Sequence, residues 1–138
     1  MKGMSLIMNA QKFTQKSLEA IQSAQDLAIE YQSLQLEQEH LLCGLLNQEQ
    51  GLIRELLLKA NSDPDGLSQE AEQLASGLPR VSGPGREAGK IYVSQDVDRA
   101  LTEAEKSASA MKDDYVSVEH LFLALLSYPN ERLQKLFE

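Results

Sequence analysis

One stretch of this chain is written twice. Glu39-His40-Leu41-Leu42-Cys43-Gly44-Leu45-Leu46 returns 80 residues later as Glu119-His120-Leu121-Phe122-Leu123-Ala124-Leu125-Leu126. Sliding 13–57 over 93–137 at that offset, without a gap, gives identities at Gln15/Gln95, Ala20/Ala100, Ala24/Ala104, Ala28/Ala108 and Leu56/Leu136, besides those in the motif. Ile21/Leu101, Leu36/Val116, Leu42/Phe122, Ile53/Leu133 and Leu57/Phe137 exchange one apolar residue for another. A unit this long exceeds the roughly 20–50-residue period of solenoid repeats, so the pattern is one internal duplication. Whatever fold one copy takes, the other must take too, and both must share one interior.

Composition sets what that interior is made of. The 138 residues suit one domain with a single core, and 42% apolar with only 5% aromatic residues points to an aliphatic, helical one. A net charge of −8 argues against nucleic-acid binding, which needs a basic surface to displace phosphate counterions. The lone Cys43 cannot form an intrachain disulfide, and neither a signal peptide nor a long apolar run is present. These features point to a reduced, cytoplasmic setting without a membrane partner. Cys43 is matched by Leu123 and reads as a small buried hydrophobe.

The periodicity is helical throughout. Met1 to Asn9 carries no clear pattern. From Gln11 to about Tyr31 apolar residues recur at threes and fours, predicting a long amphipathic helix. Ser33–Leu36 connects it to a second helix, about Gln38–Asn47, so rich in leucine that it must be largely buried. A third helix, about Gly51–Ala60, places Leu52, Ile53, Leu56 and Leu57 on one side, and a fourth runs Pro64–Ser76. Gly77–Lys90 holds Pro79, Gly83, Pro84, Gly85 and Gly89 and reads as an exposed linker, so that 11–76 is a first unit, 77–92 the linker and 93–138 a second unit. Ser94 caps a fifth helix with Val97, Ala100, Leu101, Ala104, Ala108 and Met111 inward, ending near Lys112–Asp114. Ser117 caps a sixth to about Ser127, and a seventh begins near Asn130. The fold class is all-α, two helical units about a pseudo-twofold axis. The second unit has no counterpart of Pro64–Ser76 within the sequence, which predicts an N-terminal piece of a longer polypeptide.

No catalytic pattern stands out. Glu39-His40 and Glu119-His120 each lack the second histidine, four residues on, that a zinc-protease helix needs. Each histidine is therefore expected to pack at the start of its helix and satisfy a local backbone group with a ring nitrogen. Gly83–Lys90 has the look of a phosphate loop but has Pro84 where Gly is required and Ile91 where Ser or Thr is required.

The duplicated motif, the opening Lys12-Phe13-Thr14 and the run Tyr92-Val93-Ser94-Gln95-Asp96-Val97 resemble the Clp N-terminal domain over roughly 9–138. Leu78-Pro79-Arg80-Val81-Ser82-Gly83 and Asp113-Asp114-Tyr115-Val116-Ser117 are similar to segments of the ClpB type, with the ClpC type next. ClpC-type chains carry Gly-His and Gly-Thr pairs where this one reads Gln32-Ser33, Glu37-Gln38, Lys112-Asp113 and Ser117-Val118. Those departures put adaptor docking and phosphoarginine recognition in doubt.

The resemblance implies a binding domain without catalysis of its own. It would feed unfolded or aggregated polypeptide to AAA+ modules, absent here, that form a hexamer, consume the ATP and work with the DnaK chaperone system. No cofactor is expected in this chain. A groove is expected where the first helices of the two units approach, with walls from Phe13, Ser17, Val97, Leu101, Val116 and Val118. Val118 is the favoured wall residue, because its counterpart Gln38 is polar and suggests a position the core does not require. Asp113 and Glu119 are expected to engage client amides or basic residues. Asp113, with Ser33 as its counterpart, is the sharper candidate, and its loss is expected to change stability by no more than about 0.5 kcal/mol. The alternative is a ClpC-type domain that docks an adaptor.

Overall fold

The computed structural model describes residues 10–48, 51–80 and 92–137. Among them are seven α-helices: α1 (Gln15–Glu30), α2 (Gln38–Leu46), α3 (Leu52–Lys59), α4 (Pro64–Ser76), α5 (Gln95–Ala110), α6 (Val118–Ser127) and α7 (Glu131–Phe137), preceded by a 3₁₀ turn at Ala10–Lys12. Most of the linker, 81–91, and the segment before Ala10 lie outside the described residues.

The helix starts follow their caps. Thr14 and Ser94 are extended, and their side chains accept from the N–H groups of Ser17 and Val97. The expected first helix from Gln11 is therefore broken at Phe13–Thr14. Thr14 resets the chain, and Phe13 leaves the helical path to meet the other unit. The fifth helix also stops early, at Ala110, which leaves Met111 exposed rather than inward. In α3 only Ile53 is fully buried, while Leu52 and Leu56 reach the surface.

The duplication is repeated in backbone detail. Phe13 pairs with Val116 in a parallel bridge, and Val93 pairs with Leu36 in the matching one. Thr14 N donates to Val116 O at 2.9 Å and Val116 N to Lys12 O at 2.8 Å; their counterparts are Ser94 N to Leu36 O at 3.0 Å and Leu36 N to Tyr92 O at 2.7 Å. Each unit thus stitches its entry segment to the other's second-helix connector. The two connectors turn through equivalent left-handed residues, Gln32 at φ 55° and Lys112 at φ 62°.

The core runs through α2 and α6. Every residue of α2 is buried, and α6 buries Val118, His120, Leu121, Phe122, Ala124 and Leu125. Gly44 lets α2 come against α1 so closely that a β-carbon there would run into the Ala20 carbonyl oxygen. The units meet with α2 against α6, α1 against α6 and α5 against α2. In the first unit α4 lies on α2. The equivalent face of α6 exposes Leu123 and Leu126, beside a groove of about 400 Å³ that Phe122, Leu136 and Phe137 help to line.

Candidate functional site

The eight candidate residues separate into a buried set and a surface pair. Phe13, Ser17, Val97, Leu101, Val116 and Val118 all lie in the interior. Ser17 is fixed there, its hydroxyl donating at 2.9 Å to Val116 O. These six are not open groove walls. Of them, Phe13 and Ser17 are brought together on Val116, by the bridge and by the hydroxyl bond. The inference from Val118 fails at its premise, since Gln38 is fully buried. Its Nε2 donates to Asp96 O and Tyr128 O, each at 3.0 Å, and its Oε1 accepts from Asn130 N at 2.7 Å. A polar residue there clamps one unit to the other.

Asp113 and Glu119 are exposed. Asp113 nevertheless has a structural task. His120 Nε2 is 2.9 Å from Asp113 Oδ2, and His120 Nδ1 accepts from Ser117 N at 2.9 Å. The first unit has the same arrangement, with His40 Nε2 3.0 Å from Ser33 Oγ and His40 Nδ1 accepting from Glu37 N at 2.9 Å. The expected backbone role of both histidines is what the structure shows. Each ring nitrogen is thereby occupied, which leaves no lone pair for a metal. Ser117, His120 and Asp113 lie in a chain like a hydrolase triad, with Ser117 Oγ 3.1 Å from His120 Nδ1. The Nδ1 lone pair, however, is already taken by the Ser117 N–H, so the ring cannot take the hydroxyl proton.

Burial tunes the interior groups. It lowers His40 from 6.5 to about 4, overriding the opposing pull of Glu39. It also pushes the Cys43 thiol up to about 12, with Glu72 and Glu39 adding to the effect, so Cys43 is an inert core residue. Glu39 is buried as a carboxylate because Arg132 reaches it from the other unit, with Asn130 Nδ2 donating at 3.2 Å. The hydrogen bond to Glu39 raises Arg132 above its usual range. Its sequence twin Glu119 has Leu52 at the position equivalent to Arg132, and no ion-pair partner among the described residues.

The segments at the junction also expose large apolar side chains among polar ones. Leu34 is 64% exposed, Tyr92 72%, Met111 57% and Tyr115 55%. All four sit in, or next to, the segments joined by the two bridges: Tyr92 precedes Val93, Tyr115 precedes Val116, and Leu34 and Met111 lie in the two connectors. These residues were missed from sequence. The signal was present, since Leu34, Tyr92 and Tyr115 face Asp114, Lys12 and Gln35 in the other copy, exchanges a core would not tolerate.

Residues 12–138 match the family model described as the Clp repeat (R) N-terminal domain. Chaperone protein ClpB of Nitratidesulfovibrio vulgaris is 39% identical over 122 residues, covering 88% of this chain and 14% of that protein. ClpB of Bacillus cereus is 41% identical over 117 residues, covering 85% and 14%. The chain thus spans about 14% of the length of these curated relatives. Among solved structures, the Hsp104 N-terminal domain of Candida albicans superposes with a TM-score of 0.79 at 25% identity, covering 91% of this chain and 79% of that one. The ClpV N-domain of Vibrio cholerae gives 0.77 at 26%, covering 96% and 79%. A complex of a ClpV N-domain with a VipB peptide has the same fold, with a TM-score of 0.72 at 23% identity and coverage of 96% and 81%. No helix among the described residues is long and apolar enough to cross a membrane.

Proposed function

This chain belongs to the Clp repeat N-terminal domain family, and from that membership we propose that it recruits unfolded or aggregated polypeptide for a ClpB-type, ATP-driven disaggregase. It binds and does no chemistry. Hydrolysis of ATP, assembly into a hexamer and cooperation with the DnaK system belong to the AAA+ modules of a longer parent protein in the cytoplasm. The observation that carries this reading is the exposure of Leu34 and Tyr92 beside one bridge between the units and of Met111 and Tyr115 beside the other. Exposed aromatic and long aliphatic side chains on a rigid base hold apolar segments by area and shape, without reading a strict sequence. Asp113 and Glu119, exposed and near Met111 and Tyr115 in sequence, favour clients with flanking basic residues. The peptide complex of a ClpV N-domain supports the reading, as a domain of this fold that holds a polypeptide segment.

Fluorescence anisotropy of a labelled, reduced and alkylated polypeptide tests it. The native chain is expected to bind it and not a folded control, and the Tyr92→Ser/Tyr115→Ser variant to lose about tenfold in affinity while keeping its melting temperature. Equal binding by native chain and double variant would reject the assignment of the surface.

A further inference from the structure

Each connector is tied at both ends to one histidine. The N–H groups of Glu37 and Ser117 donate to Nδ1 of His40 and His120, each at 2.9 Å, so each neutral ring carries its hydrogen on Nε2. That hydrogen goes to the other end of the connector, to Ser33 Oγ at 3.0 Å in the first unit and to Asp113 Oδ2 at 2.9 Å in the second. Both rings are buried. The letters differ between the copies, serine against aspartate at one end and glutamate against serine at the other, yet the ring closes the same loop. Leu36 and Val116, inside these loops, make the bridges to the other unit. Beside them the loops carry Leu34 and Tyr115, and Leu34 stays 64% exposed although Arg80 is bridged to the residue before it.

We propose that His40 and His120 are positioning residues for polypeptide recruitment. Neither ring touches the polypeptide. Each braces a connector from the interior and so holds the exposed side chain on it, Leu34 in one unit and Tyr115 in the other, in place before a polypeptide arrives. A side chain on a braced loop has less freedom to lose on binding, which raises affinity without narrowing the range of sequences accepted. Asp113 then acts in two ways. Its charge favours basic clients, and its bond to His120 serves every client that meets Tyr115. This deepens the recruitment reading and rests on it.

The test uses the intact chain and a blocked, fluorescent, uncharged peptide of leucine, tyrosine, serine and glycine, on which the charge of Asp113 has no hold. Affinities are read well below the melting temperature of each variant. Asp113→Ala removes the partner of His120 Nε2; it should shift the amides of 114–116 and weaken the peptide about three- to tenfold. Asp113→Asn, whose amide oxygen still accepts from Nε2, should restore most of that affinity. Ser33→Ala should weaken the peptide in turn, moving the amides of 34–36 and not those of 114–116. Equal affinities of the native chain and Asp113→Ala would overturn the positioning role, and so would equal losses in Asp113→Ala and Asp113→Asn. A native chain that binds the alkylated polypeptide but not this peptide would also overturn it, leaving recruitment intact. Binding of neither would reject recruitment, and the positioning role with it.

Discussion

Replacing Arg132 by methionine should separate the two units energetically. Glu39 is 0% exposed, and Arg132 reaches it from the other unit with a side chain that keeps 43% of its surface in water. Removing one partner of a buried ion pair costs about 3–5 kcal/mol, because the other charge is left without compensation. Here water reaches the guanidinium and Asn130 still donates to Glu39, so the loss falls below that range, at about 2 kcal/mol. For a chain of 138 residues that corresponds to a melting temperature about 7 °C lower. The double variant Glu39→Gln/Arg132→Met removes the stranded charge and should recover more than half of the loss. Urea unfolding at pH 7 measures all three chains. A change below about 0.5 kcal/mol in the single variant, or a double variant no better than the single, would refute the assignment of this pair as the latch between units.

Acid should loosen the first unit. His40 is held neutral, at about 4 against an ordinary 6.5, so the unfolded chain takes up its proton first as pH falls. Its contribution is complete above pH 6.5 and is lost as the pH drops toward 4, about 3 kcal/mol over that interval; urea unfolding from pH 7 to 4 should show this fall, and His40→Gln should flatten it. Gly44→Ala should cost about 2 kcal/mol by forcing α1 and α2 apart at the Ala20 carbonyl, whereas Ala124→Gly at the matching position of α6 should cost about 1 kcal/mol or less; thermal melts compare them. Asp113→Ala should cost about 1 kcal/mol, since His120 Nε2 loses its partner, and Asp113→Asn should restore most of it in the same assay.

Much of the fold could be read because helical period and caps are local properties. Pro64 opens α4, Ser94 and Ser117 sit before α5 and α6, and the leucine density of 41–46 announced a buried helix. The duplication foretold two like units. It could not tell that Thr14 ends one element and caps another, because the cap is masked by good helix formers on both sides and is fixed by Phe13 pairing with Val116, 103 residues away. The site was less legible for a related reason. Identical letters stand in opposite surroundings: Glu39 is buried against Arg132, and Glu119 is exposed. Comparing the copies for polar and apolar exchanges marks Leu34, Tyr92 and Tyr115 as surface residues, yet fails at Gln38, which is buried with all its polar atoms paired across the interface. Burial of a polar side chain depends on partners that lie far off in sequence.

The most direct test of polypeptide recruitment is an amide-shift titration of the intact chain with a permanently unfolded, apolar-rich polypeptide, with a folded protein as control. Shifts that appear with the unfolded chain alone and fall at Leu34, Tyr92, Met111, Tyr115 and the neighbouring bridged residues Phe13, Leu36, Val93 and Val116 are the predicted result. Spectra that do not move at saturating polypeptide, or shifts confined to the exposed leucines of α3 and α6, would contradict it.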